Sequence, residues 1–129
     1  MGRVLGLLAA LETLMSTLRI YKDALRLVAL CRPHGESLRK QGHGAAASQL
    51  ERAAFSPALN IAEGTGRYDG NGRQRFETAR GSAKETIACL EVGVALGALK
   101  VEAIAEAVDC ADKVAATMWR LTRRRATGR

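Results

Sequence analysis

The stretch Leu59-Asn60-Ile61-Ala62-Glu63-Gly64-Thr65-Gly66-Arg67 decides how this chain folds. It reads as the last turns of one helix, a glycine stop, and a basic, glycine-bearing link into the next helix. Gly64 suits the left-handed conformation that ends helices, because it has no Cβ to clash. Pro57, seven residues earlier, lies in the same apolar pattern. It removes a backbone donor, so the helix is expected to bend near Phe55–Ser56. Leu50, Ala53, Ala54, Pro57 and Ile61 recur at threes and fours and define a helix over about 45–63. Asn60 lies near the centre of that stripe, and its amide needs partners, which backbone groups near Pro57 can supply.

Working outward, the link Thr65 to Gly72 leads into a third helix over about 72–96. Asn71 and Gln74 are spaced as a capping box at its start. Phe76, Ala79, Ala83, Ile87, Leu90 and Val94 are its expected core face. Gly81 falls mid-helix, where glycine costs about 1 kcal/mol relative to alanine, so a close neighbouring backbone is expected there. Ala98-Leu99-Lys100 is a tight turn. A fourth helix over about 101–124 carries Val101, Ile104, Val108, Ala111, Ala115 and Met118, with Trp119 beside the seam, at a bundle end or a subunit contact. Upstream, Leu18, Tyr21, Ala24, Leu25, Val28 and Cys31 are the expected core positions of a first helix from Thr17 to Arg32, widened by Ile20 and Leu27. Pro33 is expected to stop it. Residues 34–44 then read as a polar link from which Leu38 tucks back.

These four amphipathic helices predict an all-α protein, an antiparallel up-down-up-down four-helix bundle over residues 17–125. Residues 1–16 are read as an N-terminal extension that can lengthen the first helix, and 126–129 as a disordered tail. Met1-Gly2-Arg3 before Val4–Leu11 has the outline of a signal peptide. The apolar run is short, however, and no clear cleavage site follows. Met15-Ser16-Thr17 is the better start for the bundle, with a hydroxyl as N-cap. No apolar run is read as long enough to cross a bilayer.

A length of 129 residues is one domain with room for a core. Aromatic residues are only 4% of the chain, which favours helices packed through small side chains. Cys31, Cys89 and Cys110 form no CxxC pair, so a reducing, cytoplasmic setting is expected, with the thiols as small buried hydrophobes. Twenty Lys and Arg against thirteen Asp and Glu give a formal charge of +7. Such a surplus suits phosphate or acidic partners.

The runs Leu18–Ala24, Gln49–Gly64 and Arg75–Glu85 resemble the bacterial family of four-helix-bundle proteins encoded in intervening sequences of large-subunit ribosomal RNA genes. The Asn-Ile-Ala-Glu-Gly and Gly-Ser-x-x-Glu pair, in this order, carries the resemblance, which spans about residues 18–124. The glycine-rich Tyr68–Gly72 loop and the arginine-rich surface are similar to the branch that serves as accessory variability proteins of diversity-generating retroelements. The resemblance implies a homopentameric ring without catalytic activity. It further implies that the ring binds RNA or DNA and engages a partner reverse transcriptase. Pro57, Asn60, Glu63, Gly64, Gly81 and Ser82 carry over as structural signature residues.

Read from the residues themselves, the chemistry on offer is neutralisation of phosphates by arginine. Two groups are candidates for nucleic-acid contact: Arg120, Arg123, Arg124 and Arg125 near the C-terminus, and Arg67, Arg73 and Arg75, with Arg80 further along, around the second link. They are expected at opposite ends of the bundle. Arg19 and Lys22, with Arg26 on the same face, are expected to join the C-terminal group. No nucleophile–base pair or Glu-x-x-His motif is present, and Cys31 and His34 lack a third ligand spaced for zinc. The expectation is therefore no enzyme, no cofactor, no metal and no membrane partner.

Overall fold

A computed structural model describes residues 1–67 and 69–126, with side chains as far as Arg123. The expected tail lies largely outside the described residues. All regular elements among these residues are helices: α1 (Gly2–Lys40), α2 (Gly44–Gly64), α3 (Gly70–Ala95) and α4 (Val101–Ala126). Helix α1 packs on α2 and α4, α2 packs on α3, and α3 packs on α4. Two core clusters fill the space between them. One gathers Leu27, Leu38, Leu50, Leu90 and Ile104. The other gathers Ile20, Ile61, Phe76, Val114 and Met118.

Pro33 does not end α1. The helix runs through it to Lys40, because the segment beyond it is held down. Leu38 is fully buried, and a Cβ on Gly35 would lie 3.2 Å from the Glu51 carboxylate. Arg39 pairs with Glu51, and Gln41 Nε2 donates to the Ala98 carbonyl at 2.9 Å. These contacts offset the roughly 3 kcal/mol cost of an interior proline. The expected link of 34–44 shrinks to Gln41-Gly42-His43. Gly42 takes φ 86°, while the amides of His43 and Gly42 donate to Leu38 and Arg39. Gly97 closes α3 in the same way, with Ala98 and Gly97 donating to Gly93 and Val94.

Gly64 is the last residue of α2 and is not left-handed; Gly66, two residues on, carries φ 81°. What Gly64 supplies is closeness. A Cβ there would stand 2.5 Å from the buried ring of Phe76. The start of α3 also differs from expectation. Asp69, not Asn71, caps it, accepting from the Gly72 amide at 3.0 Å. Gly81 has open space around the position of a Cβ, so the expected backbone approach is not at this site. Nothing in the structure explains a glycine there.

All five expected core positions of α2 are buried. On α1 the stripe is turned. Leu18 and Leu25 are about half exposed, while Thr17, Ile20, Ala24, Leu27, Cys31, Gly35 and Leu38 face inward. Val101, expected in the core of α4, is 62% exposed. The N-terminal half of α1 is also long and apolar enough to cross a membrane by length and composition, contrary to the sequence expectation.

Candidate nucleic-acid interface

The signature residues build the seam between α2 and α3. Asn60 Nδ2 donates to the carbonyl and to the hydroxyl of Ser56, both at 3.0 Å, in the turn ahead of Pro57. The Ser56 and Ser82 hydroxyls meet at 2.6 Å across the two helices. Glu63 accepts from Arg75 Nε at 3.1 Å. Pro57 is fully buried, and Gly64 lies against Phe76. These residues hold two helices in contact, and Asn60 and Glu63 also line an open concavity of about 470 Å³ with Arg52 and Arg75.

Charge gathers elsewhere. Trp119 sits 46% exposed between two guanidinium groups, with Arg80 Cζ 5.3 Å and Arg123 Cζ 5.1 Å from its ring centre. That geometry is within cation–π range. Glu77 accepts from Arg80 at 3.3 Å and fixes its fork against the ring. An open concavity of about 480 Å³ lies beside the tryptophan, lined by Gly70, Arg73, Gln74, Glu77 and Arg123 among others. Gln74 also lines a neighbouring polar concavity of about 310 Å³ with Arg67, Asn71, Arg75 and Thr78. Both lie at the start of α3, where the helix dipole favours an anion and the Asp69 carboxylate already caps the Gly72 amide.

The structure therefore joins the two arginine groups that the sequence reading kept apart. Arg73 and Arg123 line one concavity because the first turns of α3 meet the last turns of α4. Arg120 is exposed and donates to Thr117 Oγ1 at 3.2 Å. The side chains of Arg124 and Arg125 lie outside the described residues. Arg19 donates to Ser16 Oγ at 3.3 Å, and Lys22 is exposed on α1. Arg26 does not join the C-terminal arginines. It pairs with Glu106, seventeen residues up α4 from Arg123, roughly 25 Å along the helix axis. Sequence reasoning missed the Arg80–Trp119–Arg123 stack, since it depends on how α3 is set against α4.

Cys31 and Cys110 are buried and Cys89 is half-buried. Burial first, then the neighbouring Cys110 and Cys89 thiols, pushes Cys31 up to about 12. Burial raises Cys89 and Cys110 too, and Cys110 Sγ donates to the Asp23 carbonyl at 3.2 Å. Thiolate is the reactive form, so burial lowers the reactivity of these side chains, most of all at Cys31. Among the described residues no cluster of three His, Cys, Asp or Glu is placed to hold a metal.

The sequence profile of the 23S rRNA-intervening sequence proteins matches residues 16–120. The chain belongs to this family. No curated relative and no solved structure matches it. The matched span leaves out the first fourteen residues of α1 and stops at Arg120, short of Arg123.

Proposed function

We propose that this family member is a non-catalytic, basic nucleic-acid-binding accessory of a diversity-generating retroelement, working as a homo-oligomer, a pentamer by resemblance, beside a reverse transcriptase. Its four helices run up-down-up-down in antiparallel order. The pairs Asp23–Lys113 and Arg26–Glu106 support that order for α1 and α4. The observation that carries the function is the exposed Trp119, held between Arg80 and Arg123 beside a concavity that Arg73 enters. An unpaired base stacks on the indole by taking the place of one guanidinium over the ring, and the displaced fork donates to a phosphate. Together they form the stacking-plus-charge platform that single strands use. Arg67, ahead of α3, and Arg75, on its first turns, extend the track on one side, and Arg120 extends it along α4.

Trp119 is the only tryptophan, so its fluorescence reports the site directly. Titration with a single-stranded RNA or DNA oligonucleotide should quench it, with an affinity that falls steeply as salt rises. Trp119→Ala should weaken filter binding by about 10- to 100-fold. Salt-insensitive binding, or full affinity in Trp119→Ala, would sink the reading. A second reading, a protein-interaction scaffold with no nucleic-acid role, is favoured by one observation. Phe55 and Leu59 are more than half exposed on α2 beside Arg52 and Arg75. Capture of the reverse transcriptase unaffected by nuclease treatment, together with no oligonucleotide binding, would favour it.

A further inference from the structure

Helix α1 carries two apolar rows. The inner one, Thr17 to Leu38, faces the bundle. The outer one is Val4, Leu7, Leu11, Leu14, Leu18, Tyr21, Leu25 and Val28, alternating steps of three and four over 25 residues. That spacing is an unbroken a/d heptad pattern about 37 Å long, with leucine at five of eight positions. Six of its eight side chains are open to solvent, while Tyr21, which packs against the core, and Val28 are half-buried. Val4 is 57% exposed, Leu7 71%, Leu11 52%, Leu18 51% and Leu25 46%. Leu8 and Met15 flank it and are about half exposed as well. Every residue from Met1 to Glu12 is exposed, so the first turns of α1 project beyond the bundle with neither face covered. A lone helix of that length is marginal in water, so its stability has to come from packing.

The chemistry of the projection selects its occupant. Between residues 2 and 16 the charged side chains are Arg3 and Glu12, a net charge of zero in a chain of +7. A helix lying on a lipid surface draws its hold from Lys and Arg on its polar face. Here the face opposite the leucines is Gly2, Gly6, Ala9 and Thr13. A bilayer span would bury Glu12 in hydrocarbon. Two copies of this chain, by contrast, can close along the outer row without bringing charges together. Six exposed side chains of the row, Val4, Leu7, Leu11, Leu14, Leu18 and Leu25, together with the flanking Leu8 and Met15, offer an area of the order of the 800 Å² per partner that stable pairs bury.

We propose that the outer row of α1 is a self-association seam, through which copies of this chain pair α1 to α1 as a coiled coil. The seam begins outside the 16–120 span that defines the family, so it is an addition to any assembly the bundle itself makes. It stands independently of the nucleic-acid reading. Sedimentation equilibrium on the full chain at tens of micromolar tests it against Leu7→Glu/Leu11→Glu. Neither leucine touches the bundle core, so the variant should keep the thermal midpoint of the parent. Its mass should fall at least twofold. Leu7→Ala/Leu11→Ala, which keeps helix propensity and adds no charge, should also lose mass, whereas Leu7→Ile/Leu11→Ile should hold it. Equal masses for the parent and both disrupted variants would overturn the proposal. So would flotation of the parent with phosphatidylcholine vesicles, lost in Leu7→Glu/Leu11→Glu without any change of mass in lipid-free buffer.

Discussion

The α2–α3 seam and the α1–α4 seam join similar helices by different means. Between α2 and α3 the backbones come close enough for Gly64 to meet the Phe76 ring, and a buried-side hydroxyl pair, Ser56–Ser82, bridges them. Between α1 and α4 the polar links are largely exposed ion pairs, Arg26–Glu106 and Lys113–Asp23. The first seam is fixed by shape, where a methyl group more is felt; the second is fixed by apolar contact and decorated by charge. The family signature residues crowd the first seam and are scarce on the second. The signature residues of this chain are therefore a way of docking α3 on α2, and α1 is the helix with a face to spare.

The comparison can be broken most forcefully at Phe76. Phe76→Ala should cost about 3–5 kcal/mol of unfolding free energy in urea, by emptying the core next to Gly64. Gly64→Ala asks the complementary question by overfilling the same place. The ring is enclosed and cannot swing away, so a loss of about 1–3 kcal/mol is expected. A near-neutral result would show that the seam yields more than its spacing implies. Ser82→Ala should cost about 1 kcal/mol, since Ser56 keeps its bond with Asn60 and only the cross-helix bond is lost. On the other seam, a double-mutant cycle on Arg26 and Glu106 should give at most about 0.5 kcal/mol, because both side chains are more than half exposed.

The smallest effect is electrostatic and lies where α1 faces α4. Burial lowers His34 below its ordinary value of 6.5, and a hydrogen bond with the Ala103 backbone partly opposes this. A histidine depressed in the folded state binds fewer protons there than in the unfolded chain. Its contribution is complete above its unfolded value and is lost as pH falls through the folded one. Thermal midpoints followed from pH 7 down to pH 5 should therefore decline slightly less in His34→Gln, by roughly 2 °C or less.

How far the sequence could be read follows from the same contrast. Helix α2 was legible because alanines and one leucine row leave a single narrow stripe, and its five expected positions are all buried. Helix α1 was harder because two rows overlap on it. Leu18 and Leu25 have perfect spacing but face outward, while Tyr21 at the same spacing packs against the core, and periodicity alone cannot say which row meets the bundle. The segment 34–40 looks like a link by composition, and only the burial of Gly35 and Leu38 makes it helix. The candidate site was legible as a list of arginines and not as a place. Arg73, Arg80 and Arg123 are spread over fifty residues and converge on Trp119 only through the setting of α3 against α4.

One consequence follows from α1 being continuous from Gly2 to Lys40. The projecting turns are geared to the bundle rather than tethered to it. Each residue inserted or removed just ahead of Thr17 would swing the leucine row about 100° around the axis while leaving the inner row seated. The azimuth of the overhang is thus encoded by chain length alone, and a one-residue slip would aim it at a new neighbour.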